Sequence, residues 1–281
     1  MILSTDSTAN LPKEYYSKYN IKMVPLKIIL DDITYDDLSD DLPITEYYQK
    51  MKDGSTPTTA QINEFGAKEY FEELLKSGED ILHIGFSSAL SGSTGTLSRV
   101  AKELNDTHEN KIVVIDSLNA SMGEGLLVLK AKEYMDQGMP IDQVAEEVKK
   151  LIPYICSYFT VDQLKYLVRG GRVGKFSGIL GTILNIKPVL RVDENGRLVS
   201  YKKVITKKKS LQEMAKIVEE KIADKQQVFI THALAETEAK EFANTLKYTL
   251  GVEPVITDLT QVIGCHTGPG LIAVFFIGKE K

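Results

Sequence analysis

Short apolar runs of strand length alternate with longer stretches of helical periodicity along most of the chain, and no other feature constrains the fold as tightly. Such alternation is the order of βαβ units around a mainly parallel sheet, so the chain reads as an α/β protein. Strands are predicted over 2–5, 23–30, 81–84 and 112–115, and helices over 44–52, 65–75, 94–104, 123–135 and 141–151. Pro153 stops the last of these, and the run 154–160 then reads as a strand opening a second lobe. At 281 residues the chain exceeds one ordinary core, which favours two α/β lobes, 1–153 and 154–281. The first is read as a Rossmann-like parallel sheet, and a ligand is expected between the lobes. The second lobe offers a Gly-rich loop at 169–174, a hairpin of strands 186–192 and 197–204 turned at Asp193-Glu194-Asn195-Gly196, helices over 210–222 and 236–250, and strands over 228–231, 254–257 and 271–277.

Several function classes lose support at once. A net charge of -5 gives no basic footprint for nucleic acid, and the run Lys207-Lys208-Lys209 is at most a local contact surface. No stretch approaches the roughly 18 consecutive apolar residues of a membrane helix, and the amino terminus lacks the pattern of a secretory signal. Cys156 and Cys265 are too few for a disulfide scaffold, sit in apolar strand-like surroundings and suit a reducing cytoplasm. Four histidines without paired spacing give no zinc pattern. The acidic stretch from Asp31 to Asp41 lacks the glycine and closing glutamate of a calcium loop, which leaves it a solvated loop.

Three polar turns follow predicted strands, at Asp6-Ser7-Thr8, Ser87–Gly92 and Asp116-Ser117, and parallel topology gathers such turns at one sheet edge, where open α/β sheets bind ligands. The turn at 87–93 joins a strand to a helix, so backbone N–H groups and a hydroxyl meet the positive end of a helix, a seat for an anion. It is neither a P-loop nor a dinucleotide fingerprint, because the lysine and the glycine spacing are missing. Gly85-Phe86-Ser87-Ser88-Ala89 approaches a nucleophile elbow with Ala89 in place of the second glycine, so a serine esterase using Ser87 or Ser91 with His266 is the alternative reading. His83 lies inside a strand and His108 in a polar linker, whereas His266 stands in the Gly-rich, loop-like segment 264–270, and His232, at a strand end, is a second possible base. A third reading, a structural or regulatory protein with a vestigial pocket, predicts an empty cleft.

The set formed by Asp6-Ser7-Thr8-Ala9-Asn10-Leu11-Pro12, Pro57-Thr58-Thr59-Ala60-Gln61, Ser87-Ser88-Ala89-Leu90-Ser91-Gly92, Arg169-Gly170-Gly171-Arg172 and Gly264-Cys265-His266-Thr267-Gly268-Pro269-Gly270 resembles the DegV family of fatty-acid-binding proteins. That resemblance implies a non-enzymatic carrier with no catalytic residue, no metal and no cofactor beyond a bound fatty acid such as palmitate, stearate or oleate. It implies an acyl chain buried between two lobes and a role as binding subunit of a bacterial fatty-acid kinase system, in which a separate kinase makes the acyl-phosphate for phospholipid synthesis. Thr59 and Ser91 would then hold the carboxylate with His266 beside it, and Thr58, Ser88, Gly92 and Arg169 are further candidates. Phe176, Ile179, Leu180, Ile183 and Leu184, at helical spacing after the Gly-rich loop, are candidates for the tail pocket. Two departures stand out: Ala60-Gln61-Ile62 replaces the usual Ser-Gln-Pro, and Ile205 occupies the place of an arginine implicated in docking the kinase, which weakens that partnership.

Overall fold

A computed structural model describes residues 1–172 and 186–281, and the predicted tail residues Phe176, Ile179, Leu180, Ile183 and Leu184 fall outside this range. The first part of the chain contains strands β1 (Ile2–Asp6), β2 (Lys22–Val24), β3 (Lys27–Leu30), β4 (Ile33–Asp36), β5 (Thr58–Ala60), β6 (Ile81–Gly85) and β7 (Ile112–Asp116). Between and after them come helices α1 (Lys13–Lys18), α2 (Ile44–Lys52), α3 (Glu64–Leu75), α4 (Ser93–Asn105), α5 (Met122–Asp136) and α6 (Ile141–Leu151). The remainder contributes β8 (Ile155–Thr160), α7 (Lys165–Arg169), β9 (Val189–Val192), β10 (Leu198–Lys202), α8 (Lys207–Lys221), β11 (Val228–His232), α9 (Glu236–Leu250), β12 (Val255–Asp258), α10 (Gln261–Thr267) and β13 (Ile272–Ile277).

The strands form a parallel sheet in the order β2-β1-β6-β7, a mixed sheet in the order β10-β9-β8-β13-β11-β12, and a small antiparallel sheet β4-β3-β5. The α/β class is therefore as predicted. Every residue of β6 is buried, as expected of a parallel strand covered on both faces. One apolar cluster runs without a break from the parallel sheet through α2 and α5 to the inner face of the mixed sheet, where Phe159, Leu190 and Phe275 point. Its outer faces are covered by α3 and α4 on one side and by α8 and α9 on the other.

Several expectations need correction. The predicted strand 23–30 is two strands in two sheets: Pro25, which offers no N–H, separates β2, parallel to β1, from β3, antiparallel to β4 and β5. The acidic stretch is not one solvated loop. Asp31 and Asp32 have φ of 51° and 63°, the left-handed pair of a tight hairpin turn leading into β4, and Asp37 beyond it is 2% exposed. The segment 264–270 is not a loop either. Its first half belongs to α10, which Gly264 allows to lie against Tyr48, since a Cβ there would come within 2.1 Å of the Tyr48 hydroxyl. Cys265 consequently sits on a helix rather than in a strand.

Asp37 ties this helix to the small sheet by accepting the Val262 N–H at 3.2 Å. Burial lifts its carboxyl to about 7, against the downward pull of the hydrogen bond from the Val262 N–H. A proton is thus held more tightly in the folded chain than in the unfolded one, so this contribution to stability is complete below pH 3.8 and fades as pH rises to about 7. Asp37→Asn keeps the acceptor and removes the titration. Its melting temperature should therefore gain on the parent between pH 4 and 7, by at most about 1.4 kcal/mol of stability per pH unit, and level off above. Melts at stepped pH check this, and a gap that stays constant contradicts it.

Candidate functional site

The three polar turns do meet. Asp6 Oδ2 accepts the Phe86 N–H at 3.1 Å, the Asp116 carboxylate accepts the Ser88 N–H at 3.2 Å, and the Ser87 N–H donates to Asn119 O at 3.0 Å. These bonds fix the 86–92 segment at the carboxyl edge of the parallel sheet, just ahead of the first turn of α4. Behind it, Asp6 and Glu124 are fully buried carboxyls bridged by the Thr8 hydroxyl, and burial raises the pKa of both.

Between this edge and the inner face of the mixed sheet lies a cavity of about 420 Å³, within the range of small-molecule sites. Its walls are mostly apolar, with Phe86, Leu90, Phe159, Val192, Leu198 and Phe275 among them. Thr59, Ser91, His266 and Arg172 supply polar groups. Antiparallel pairing of β5 with β3 sets Thr59 opposite Ile28, and its hydroxyl lies 2.9 Å from His266 Nε2 at the last turn of α10. That imidazole sits against Gly170, where a Cβ would fall 2.3 Å from Nδ1. Two residues on, Arg172 donates through Nε to Leu90 O at 3.2 Å and through Nη1 to Gly170 O at 2.5 Å. Ser91 follows Leu90, its hydroxyl 3.0 Å from that of Ser93 and accepting the Ser93 N–H at 3.2 Å. Contacts thus lead from Thr59 through His266, Gly170 and Arg172 to the Ser91 turn.

Burial is the largest influence on His266, and the nearby Arg172 and Arg169 add to it, holding the imidazole down to about 4. The ring is neutral at physiological pH. When Nε2–H donates to Thr59 Oγ1, the Thr59 proton is left for an acceptor in the cavity.

Of the predicted site residues, Thr59, Ser91 and His266 line this one cavity. Thr58 is exposed, because strand alternation turns it to the other side of β5, and it does not reach the cavity. Ser88 is exposed with its N–H spent on Asp116, and Gly92 is exposed beside Gln61. Arg169 stacks over the Tyr166 ring at 5.3 Å and is outside the lining. Arg172, Gln61, Ser121 and Ser157 line the cavity without having been singled out. Strand alternation in 154–160 could have exposed Ser157, but Arg172 carried no signal beyond its glycine neighbours.

Among the described residues neither Ser87 nor Ser91 is hydrogen-bonded to His266. Ser87 is fully buried with its hydroxyl donated to Gly196 O at 2.9 Å, Ser91 bonds to Ser93, and His266 bonds to Thr59. Among the described residues no group of three or more His, Cys, Asp or Glu could hold a metal, and no helix is long and apolar enough to cross a membrane.

Residues 2–279 match the family model described as "Uncharacterised protein, DegV family". The chain is 35% identical over 285 residues to a DegV domain-containing protein of Clostridium perfringens, with 100% of this chain and 98% of that protein covered. Among solved structures it resembles a fatty acid binding DegV family protein of Streptococcus agalactiae, with a TM-score of 0.89, 30% identity, and 100% and 99% of the two chains covered. It also resembles a stearic acid-binding protein of Eubacterium ventriosum, with a TM-score of 0.88, 26% identity and 99% of each chain covered.

Proposed function

The chain belongs to the DegV family, and on that premise we propose that it binds a long-chain fatty acid, its carboxylate at Thr59, Ser91 and His266 and its tail along the apolar walls of the cavity. The carrying observation is the 420 Å³ cavity itself, in which hydroxyl, imidazole and guanidinium groups are linked by contacts around otherwise apolar walls. Relatives described as binding fatty acids, stearic acid among them, support the ligand class.

The chemistry suits an ionised acid. Thr59 and Ser91 hydroxyls donate to the carboxylate, and bonds to a charged acceptor are stronger than neutral ones. The neutral His266 orients Thr59 rather than forming an ion pair, and Arg172, already aimed by its bonds to Leu90 and Gly170, supplies the positive charge. Affinity comes from the tail: about 0.8 kcal/mol for each buried methylene gives roughly 12 kcal/mol for fifteen, before the cost of ordering the chain. The polar groups then select an acid and set its direction. We infer further, from the family resemblance alone, that the bound acid is presented to a separate ATP-using kinase. Ile205, 68% exposed between β10 and α8, weakens that docking because it cannot make the bidentate contact of an arginine.

Ser91→Ala should weaken stearate binding by about 1–3 kcal/mol, roughly 5- to 150-fold, as the cost of an unmet bond to a charged group. Titration calorimetry reads this directly, and unchanged affinity would remove Ser91 from the site. Native mass spectrometry of the purified protein should show a co-purified acyl mass, or uptake of added stearate. Neither appearing would defeat the reading.

A further inference from the structure

We propose that the cavity contains a second polar subsite, formed by Ser157, Ser121 and Asn119, that recognises an oxygen-bearing substituent, a hydroxyl in the first instance, on the acyl chain. The inference rests on the fatty-acid reading and narrows its ligand class. Ser157 stands on the inner face of β8 paired with Phe275, two residues further along both strands than the pair Phe159 and Ala273. Ser157 is therefore offset from Phe159 by two residues, about 7 Å, along β8.

All three residues are at least nine-tenths buried: Ser157 is 2% exposed, Ser121 3% and Asn119 0%. Ser157 and Ser121 line the cavity. The Ser157 hydroxyl donates to Asn119 Oδ1 at 2.6 Å, which leaves its lone pairs to accept. Asn119 Nδ2 and Ser121 Oγ have no hydrogen-bond partner among the described residues. Turning the Asn119 amide over only exchanges which of its two atoms is bare.

The local backbone is built to hold this cluster. Ser121 adopts φ 54° and ψ -143°, a region that residues with a Cβ rarely occupy, and Leu118 also has a positive φ. The Ser117 hydroxyl takes up the Asn119 N–H at 3.1 Å, and the Asn119 carbonyl accepts the Ser87 N–H. Gly123 in the first turn of α5 makes the room, since a Cβ there would lie 2.3 Å from Asn119 Oδ1 and 2.5 Å from Ser157 Oγ. Bare polar atoms against an apolar wall are costly, and a plain hydrocarbon tail would leave them bare. A hydroxyl is donor and acceptor at once, and within the cavity it can pair with Ser121 and Ser157, the two members of the cluster that line it. A site built to pair with a hydroxyl discriminates against the analogue lacking it.

Competition binding on the full chain tests this, with stearate as internal reference against 9-, 10- and 12-hydroxystearate and 16-hydroxypalmitate. For at least one isomer, the ratio of its affinity to that of stearate should fall by roughly tenfold in Ser157→Ala and again in Ser121→Gly. The glycine variant relieves the backbone and so guards against a folding defect. Ratios that neither variant moves, for every isomer, would mean that the cluster holds a resident water only, and would overturn the proposal. The stearate arm reports the fatty-acid reading separately: stearate bound with immobile ratios sinks the subsite alone, and no acid bound at all sinks both.

Discussion

Replacing Ala273 by phenylalanine should reduce stearate affinity by at least about a hundredfold while leaving the fold intact. Ala273 is 3% exposed and faces the cavity from β13, with Leu271 and Phe275 on either side of it lining the same space. A ring built there enters a void of about 420 Å³ instead of a packed core, so overpacking costs less than the roughly 1–3 kcal/mol typical of well-filled sites. It displaces on the order of four methylenes of any acyl tail, each worth about 0.8 kcal/mol, which exceeds the 2.8 kcal/mol or so of a hundredfold loss. Calorimetry on the variant, with circular dichroism as the folding check, reads the effect. A folded variant that binds stearate within tenfold of the parent would place the tail elsewhere.

Gly268→Ala is expected to be the most damaging small substitution, costing more than about 3 kcal/mol and lowering the melting temperature by roughly 6 °C or more. Gly268 ends α10 with φ +77°, and a Cβ there would lie 2.1 Å from the Tyr166 ring. Tyr166 is 4% exposed and packs in the main core, so it cannot retreat. Gly138 is the matched control: its φ of +81° is similar, nothing lies within 4 Å of its added Cβ, and alanine there should cost only the backbone penalty, about 1 kcal/mol. Equal melting temperatures for the two variants would show that the Gly268 turn does not hold α10 in place.

What was legible in the sequence follows from where the information is local. Strands such as β6 and β7 announce themselves by continuous apolar runs, and helices such as α6 by periodic apolar positions. The break at Pro25 was written in the sequence, yet a single proline inside an apolar run says only that pairing is interrupted there, and not that the chain changes sheets. Asp37 was read as solvated because its neighbours are acidic, whereas its burial depends on Val262, which is far away in the chain. Thr59, Ser91 and His266 were reached through motif resemblance, and their meeting in one cavity depends on β5 pairing and on α10 being a helix. Alternation along β8 marks Ser157 as sharing a face with Phe159, but that this face lines a cavity, and that Arg172 and Ser121 reach it, depends on tertiary placement.

The most direct measurement is a titration of the protein with palmitate labelled with ¹³C at the carboxyl, followed by NMR. A single saturable bound resonance at one equivalent is predicted, its shift that of an ionised acid near neutral pH and moved by both Ser91→Ala and Thr59→Val. A bound signal indifferent to both substitutions, or no saturable signal at all, would contradict the account.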